Sequence, residues 1–153
     1  MSARTLEQFI DRFKFKHFSG KEVTDSSKRI RKGVKNKIPP ESLWNNIIKT
    51  LVVAEWLREK LECSLTITSA YRAPAYNAAV GGEPGSYHMK FMALDLIPGN
   101  GVTPKQLASA ARKLRGVFEL KIPGTNDSFI WKGGIGEYQN FVHIDCRGYD
   151  ANW

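Results

Sequence analysis

The sequence is poor in cysteine, histidine and acidic side chains, and each shortage excludes something. Two cysteines in 153 residues, Cys63 and Cys146, form no CxxC pair and are too few for a disulfide scaffold. Two thiols in or near the core are expected, with a single bridge between them as the alternative. No apolar run approaches the roughly 20 residues of a membrane span, so none is expected. The opening "MSARTLEQFIDRFKFK" lacks the apolar centre of a secretory signal. Synthesis in the cytoplasm follows as the expectation, with action at a cell wall or periplasm after release or export. Internal repeats and low-complexity tracts are also lacking.

Acidic residues are outnumbered, and unevenly so. The net charge is +8. Residues 1–60 carry 14 Lys/Arg against 7 Asp/Glu, whereas residues 61–153 carry 9 against 8. The densest stretch is "KRIRKGVKNK", residues 28–37. It suits a polyanion: a nucleic acid, an anionic lipid or the polymers of a bacterial wall. A solvated basic loop is the plainer alternative. In "RFKFKHF", residues 12–18, basic and aromatic residues alternate, either to stack on single-stranded nucleic acid or to feed phenylalanines into the core.

The length predicts one domain over 1–153, with a basic N-terminal helix and arm over 1–37. A monomer is the expectation. Thr5 and Gln8 form a capping-box pattern for a short first helix, and residues 19–41 read as a loop or irregular arm. Apolar residues from Leu43 to Leu57 recur at helical spacing, predicting the main core helix, with its tryptophans inside. "SLTITSAY" (64–71) reads as a strand, Pro74 opens a short helix that Gly81 stops, and another strand runs around 93–97. Thr103, Pro104 and Gln106 start a helix that Gly116 ends. "FIWKG", "GIGEY" and "FVHIDC" read as a sheet meander. The predicted class is α+β, helices packed on a mostly antiparallel sheet.

Histidine is scarce, which makes its placement informative. In "SYHMKFMALD", residues 86–95, His88 follows a glycine-rich loop and Asp95 lies in the apolar run "ALDLI". A carboxylate in such surroundings costs several kcal/mol unless paired with a lysine, a set of backbone N–H groups or a metal. In "FVHIDC" strand alternation puts Phe141, His143 and Asp145 on one face and Val142, Ile144 and Cys146 on the other, toward the core. His88, Asp95, His143 and Asp145 therefore form a candidate cluster. Two imidazoles and one carboxylate, with a position left for water, make a catalytic zinc arrangement. His17 has no such company.

"SYHMKFMALD" resembles the Ser-x-His-x-x-Gly-x-Ala-x-Asp signature of the zinc D-Ala-D-Ala carboxypeptidases and related peptidoglycan peptidases, whose zinc fold is shared with hedgehog signalling domains. "TSAYRAPAYNAAVGG" and "GGIGEYQNFVHIDCRGYDANW" resemble the flanking segments of that family. The likeness covers roughly residues 38–153, with three motifs in order. It implies a hedgehog/D-Ala-D-Ala peptidase-like fold with His88, Asp95 and His143 as zinc ligands. It further implies Arg72 as the grip on a substrate carboxylate or carbonyl, Ser86 as a hydrogen-bonding neighbour, and Asn77 as the holder of the "YNAAVGG" turn. Two positions depart from the pattern. Phe91 stands where the signature has glycine. Asn140 stands where many members have an acidic catalytic base, and an amide takes no proton from water at neutral pH. Asp145 and Glu137 are the candidate replacements. Asp145 has the alternative of orienting His143 or pairing with Arg147, and Glu137 that of a solvent-exposed side chain.

The resemblance implies a zinc peptidase acting on peptidoglycan stem peptides, in lysis or wall remodelling, with the scissile bond left open. A non-hydrolytic zinc-fold wall-binding module is the alternative. A nucleic-acid binder would leave the histidines and aspartates unexplained, so nucleic acid is not an expected partner.

Overall fold

The computed structural model describes residues 5–153. Its centre is a five-stranded sheet in the order β3 (Leu65–Ser69), β4 (Ala93–Pro98), β8 (Val142–Asp145), β7 (Gly134–Glu137), β9 (Ala151–Asn152). Every pairing is antiparallel except β7 with β9, which is parallel. Two helices, α3 (Asn46–Leu61) and α5 (Pro104–Leu114), cover one face. The α+β expectation holds, and the strand alternation explains it. Leu94, Leu96, Ile135, Val142 and Ile144 are fully buried and turn toward Ile47, Leu51 and Leu57 of α3 and Leu107 and Ala111 of α5.

The helix boundaries follow local chemistry. Thr5 and Thr103 each close a complete capping box, with Gln8 and Gln106, at the starts of α1 (Leu6–Asp11) and α5. Pro74 occupies the first turn of α4 (Pro74–Ala79), and Gly81 follows it at φ +72°. Leu6, Ile10 and Phe18 from the N-terminal segment are buried in the same core. The phenylalanines of "RFKFKHF" feed that core: Phe13 and Phe15 pack against it, and the arm is tied to α3 where Glu55 accepts from the backbone N–H groups of Lys16 and His17. His17 does have company, its ring lying 2.7 Å from the Glu59 carboxylate.

Residues 19–41 differ from the expected loop. Ser19 caps α2 (Gly20–Asp25), a 3-10 turn covers Ser26–Lys28, and a hairpin pairs β1 (Ile30–Arg31) with β2 (Val34–Lys35). Its turn residues, Lys32 at φ +49° and Gly33 at φ +74°, both take the left-handed region that matches hairpin twist. Lysine is not a residue that announces such a turn, so the pattern hid it. The hairpin is anchored by buried Asn36, whose amide donates to Ser26 O (3.2 Å) and Tyr71 O (2.8 Å) and accepts from Ala73 N–H (2.9 Å).

The meander also needs correction. "FIWKG" does not join the main sheet: β6 (Ser128–Ile130) pairs with β5 (Glu119–Lys121) in a separate hairpin. Trp131, directly after it, is fully buried and donates its indole N–H to Asp145 O at 2.9 Å. Trp44 and Trp56, expected inside, are only half-buried on the core's margin. Cys63 and Cys146 are both free thiols. No helix among the described residues is long and apolar enough to cross a membrane.

Candidate metal centre

The uncovered face of the sheet carries the site. Across four strands, Ser69 of β3 pairs with Asp95 of β4, Asp95 with His143 of β8, and His143 with Gly136 of β7. Paired residues share a face, so the register itself sets Asp95 beside His143. One step along, Ala93 pairs with Asp145, which shares that face. His88 arrives from the 3-10 turn Tyr87–Lys90, capped by Ser86, whose hydroxyl accepts from His88 N–H at 3.2 Å. His88, Asp95 and His143 are buried, and one potential ligand atom from each lies within 4.8 Å of the others.

The chemistry of the donors fits a metal. His88 Nδ1 lies 2.7 Å from Ala70 O, which can only accept, so that nitrogen carries the proton and Nε2 presents its lone pair. Nε2 faces Asp95 Oδ1 at 3.1 Å. On the other side His143 Nε2 lies 2.7 Å from Asp145 Oδ2, an ionised acceptor, so Nδ1 is the nitrogen turned inward, 3.2 Å from the same Asp95 Oδ1. Two imidazoles are thus oriented by their outer nitrogens toward one carboxylate oxygen, the outer-partner arrangement typical of histidine ligands. Burial pushes the His88 pKa down, which keeps that imidazole a neutral acceptor against the carboxylate. A divalent cation would satisfy acceptors converging in this way.

Asp145 sits behind this set. It is fully buried and accepts from Gly134 N–H (2.8 Å), Arg147 N–H (3.1 Å) and the Arg147 guanidinium (2.8 Å at the closest) as well as facing His143. Burial alone would raise its pKa, but His143, Arg147 and Gly134 together hold it well below the usual carboxylate range. His143 is raised in turn, burial being outweighed by Asp145 and Asp95. The Arg147 guanidinium is stacked among Tyr87 (4.3 Å), Trp153 (5.1 Å) and Tyr149 (5.6 Å). Alternate glycines on β7 make room: a Cβ on Gly134 would lie 2.6 Å from Asp145 Oδ2, and one on Gly136 would lie 2.5 Å from Trp153 Nε1.

Arg72 supports the set from the opposite side. Its guanidinium donates to Ser69 Oγ (3.1 Å), Asn77 Oδ1 (3.3 Å) and Asp95 Oδ2 (3.1 Å). Asn77 in turn donates to Glu83 O at 2.8 Å, closing the glycine-rich turn. Phe91 accounts for itself. It takes φ +56°, the conformation glycine favours, at a cost of about 1–2 kcal/mol. Its ring is fully buried edge-on to Tyr71 at 6.1 Å, which contributes roughly 1.5–3 kcal/mol in the other direction.

Above His88, Asp95 and His143 opens a cleft of about 660 Å³, ordinary for a small-ligand site. Arg72, Ser86, His88, Asp95 and His143 line it, as do Glu83, Tyr138, Phe141, Arg147 and Trp153. The structure thus brings together His88, Asp95 and His143, the three candidate ligands, with Arg72 and Ser86, and places Asp145 behind His143. It does not bring in Glu137, which lies outside the cleft, partly exposed, 3.3 Å from Arg112. Trp153, Tyr138 and Glu83 were missed by sequence reasoning, whereas Arg147, two residues beyond Asp145 in "HIDCR", was named in advance as a partner for Asp145, and the structure shows that pairing.

An open cleft over two buried imidazoles and a carboxylate, each fixed by outer partners, defines the class: a metallohydrolase-type centre on an α+β sheet. A family profile described as Peptidase M15 matches residues 16–145. The chain belongs to the M15 peptidases, a metal-dependent, zinc D-Ala-D-Ala carboxypeptidase-like family. No curated protein matches the chain.

Proposed function

We propose that this chain is a zinc-dependent peptidase that hydrolyses amide bonds in peptidoglycan stem peptides, as a carboxypeptidase or an endopeptidase. The observation that carries the reading is the meeting of His88, Asp95 and His143 on the floor of a cleft that Arg72 also lines. Zinc held by these three residues would supply a Lewis acid for the scissile carbonyl and for a water. The remaining work is that of the chain. Arg72 uses three of its five N–H groups on Ser69, Asn77 and Asp95, leaving two for a substrate carboxylate or carbonyl. Ser86 adds a hydroxyl on the same wall. Asp145 acts through His143, holding its tautomer and orientation, with Arg147 fixing Asp145. With Asn140 unable to exchange a proton and Glu137 turned to Arg112, proton exchange falls to Glu83, the carboxylate other than Asp95 on the cleft wall among the described residues. The basic surplus favours an anionic wall polymer by long-range attraction.

Asn140 and the full engagement of Asp145 favour a second reading, a wall-binding module that keeps the fold without hydrolysis. Digestion of purified peptidoglycan, with and without chelator and read by mass spectrometry, separates the two. Chelator-sensitive release of D-Ala, or of a defined stem-peptide fragment, supports the peptidase and names its bond. Intact peptidoglycan after incubation with metal-loaded protein overturns it in favour of the module.

A further inference from the structure

The outer surface of the helix layer holds a second concavity that the proposed reaction does not use. It lies between α3 and α5, has a volume of about 480 Å³, and is floored by Trp56, Leu61, Ala110 and Leu114. Phe118 closes one end, 5.5 Å from the Trp56 ring, and is 43% exposed; Val117 beside it is 63% exposed. Three exposed lysines, Lys60, Lys105 and Lys113, rim it, and no carboxylate lines it. Among the described residues none of the three lysines is in an ion pair. α3 and α5 cover the sheet face that bears Leu94, Leu96, Val142 and Ile144, whereas Asp95 and His143 stand on the other face. The groove and the metal centre therefore point in opposite directions.

We propose that this groove docks the chain on an anionic phospholipid bilayer. Val117 and Phe118 enter the headgroup region while Trp56 backs Phe118 from the groove floor, and the lysine stems follow them so that their ammonium groups meet lipid phosphates. One observation favours lipid over a protein partner: the charged side chains that rim the groove are all lysines, with no carboxylate among the lining residues. Docking this way leaves the cleft open and turned away from the bilayer, whatever substrate it takes.

The test is sedimentation of the full chain with phosphatidylcholine vesicles, either pure or carrying roughly one-third phosphatidylglycerol. The chain is expected to pellet with the mixed vesicles and to stay in solution with the pure ones. Lys60→Gln, Lys105→Gln and Lys113→Gln together weaken binding about 100-fold, the scale set by three lysines near an anionic surface. Phe118→Ser weakens it about tenfold, as loss of one inserted aromatic side chain should. The same charge removed from the hairpin, by Arg31→Gln, Lys32→Gln and Lys35→Gln, changes binding less than about threefold if the lysine contribution is confined to the groove. Far-UV circular dichroism verifies that each variant is folded. Binding lost equally in the hairpin variant overturns the proposal, as does an unaffected Phe118→Ser variant or a parent that ignores phosphatidylglycerol. A dimer that the groove variants abolish would make a second copy the occupant and overturn it too.

Discussion

Replacing Asp145 by asparagine keeps the side chain's shape, removes its charge and turns one of its two acceptor oxygens into an NH2 donor. In the native chain that charge has four partners: the His143 ring, the Arg147 guanidinium and the backbone N–H groups of Gly134 and Arg147. Asp145 is fully buried, and the Arg147 side chain is only 14% exposed. Removing one member of a buried pair costs about 3–5 kcal/mol, because the other charge stays behind. Asparagine has one acceptor oxygen; turned toward His143 it keeps that ring's tautomer and gives up the bonds that Gly134 and Arg147 make to Oδ1, so the metal set should survive in weakened form, with an affinity loss of about 10–100-fold. The pH dependence has a definite sign. The folded carboxyl titrates below its ordinary value of about 3.9, so its contribution is complete above that pH and fades as pH falls through the lower folded value. The gap between parent and Asp145→Asn should therefore be widest at neutral pH and shrink below about pH 4. Urea unfolding across pH measures the first effect and chelator competition the second. A variant within about 1 kcal/mol of the parent at pH 7, with zinc affinity within about threefold, would refute the reasoning.

Other substitutions probe other parts of the account. Phe91→Gly relieves the left-handed strain but empties a fully buried site; burial dominates, so a net loss of about 2–4 kcal/mol is expected in urea unfolding. Glu137→Gln should leave kcat within about twofold on wall material, since its carboxylate faces Arg112, whereas Glu83→Gln should lower kcat by at least about 100-fold with zinc content unchanged. Burial pushes the Cys146 thiol up to about 12 and also raises that of Cys63. The native chain should therefore resist iodoacetamide at pH 8 and react at both cysteines in urea, as counted by mass spectrometry.

The parts of the site that rest on strand alternation were legible in advance. His143 and Asp145 fall on one face of "FVHIDC" by period alone, and the apolar context of Asp95 marked it as a buried carboxylate in need of a partner. The capping boxes at Thr5 and Thr103 were equally local. What escaped was set by contacts between distant segments. The pairing of Arg147 with Asp145 was foreseen, but not the stacking of Arg147 among Tyr87, Tyr149 and Trp153, and the glycines of β7 are needed because Asp145 and Trp153 press on them. The hairpin in the basic stretch was hidden because Lys32 occupies a turn conformation usually left to asparagine or glycine. Asn36, one polar residue in a run of lysines, holds that hairpin to the backbone on both sides of Arg72. No pattern of hydrophobicity records such a contact.

The central claim is that His88, Asp95 and His143 form one metal site, and its most direct test is zinc binding at equilibrium. Dialysis against buffered zinc, followed by elemental analysis, should show one equivalent bound by the parent chain. Asp95→Asn and His88→Ala should each lose it at the same free zinc concentration while remaining folded by circular dichroism. Full occupancy in either variant would contradict the account.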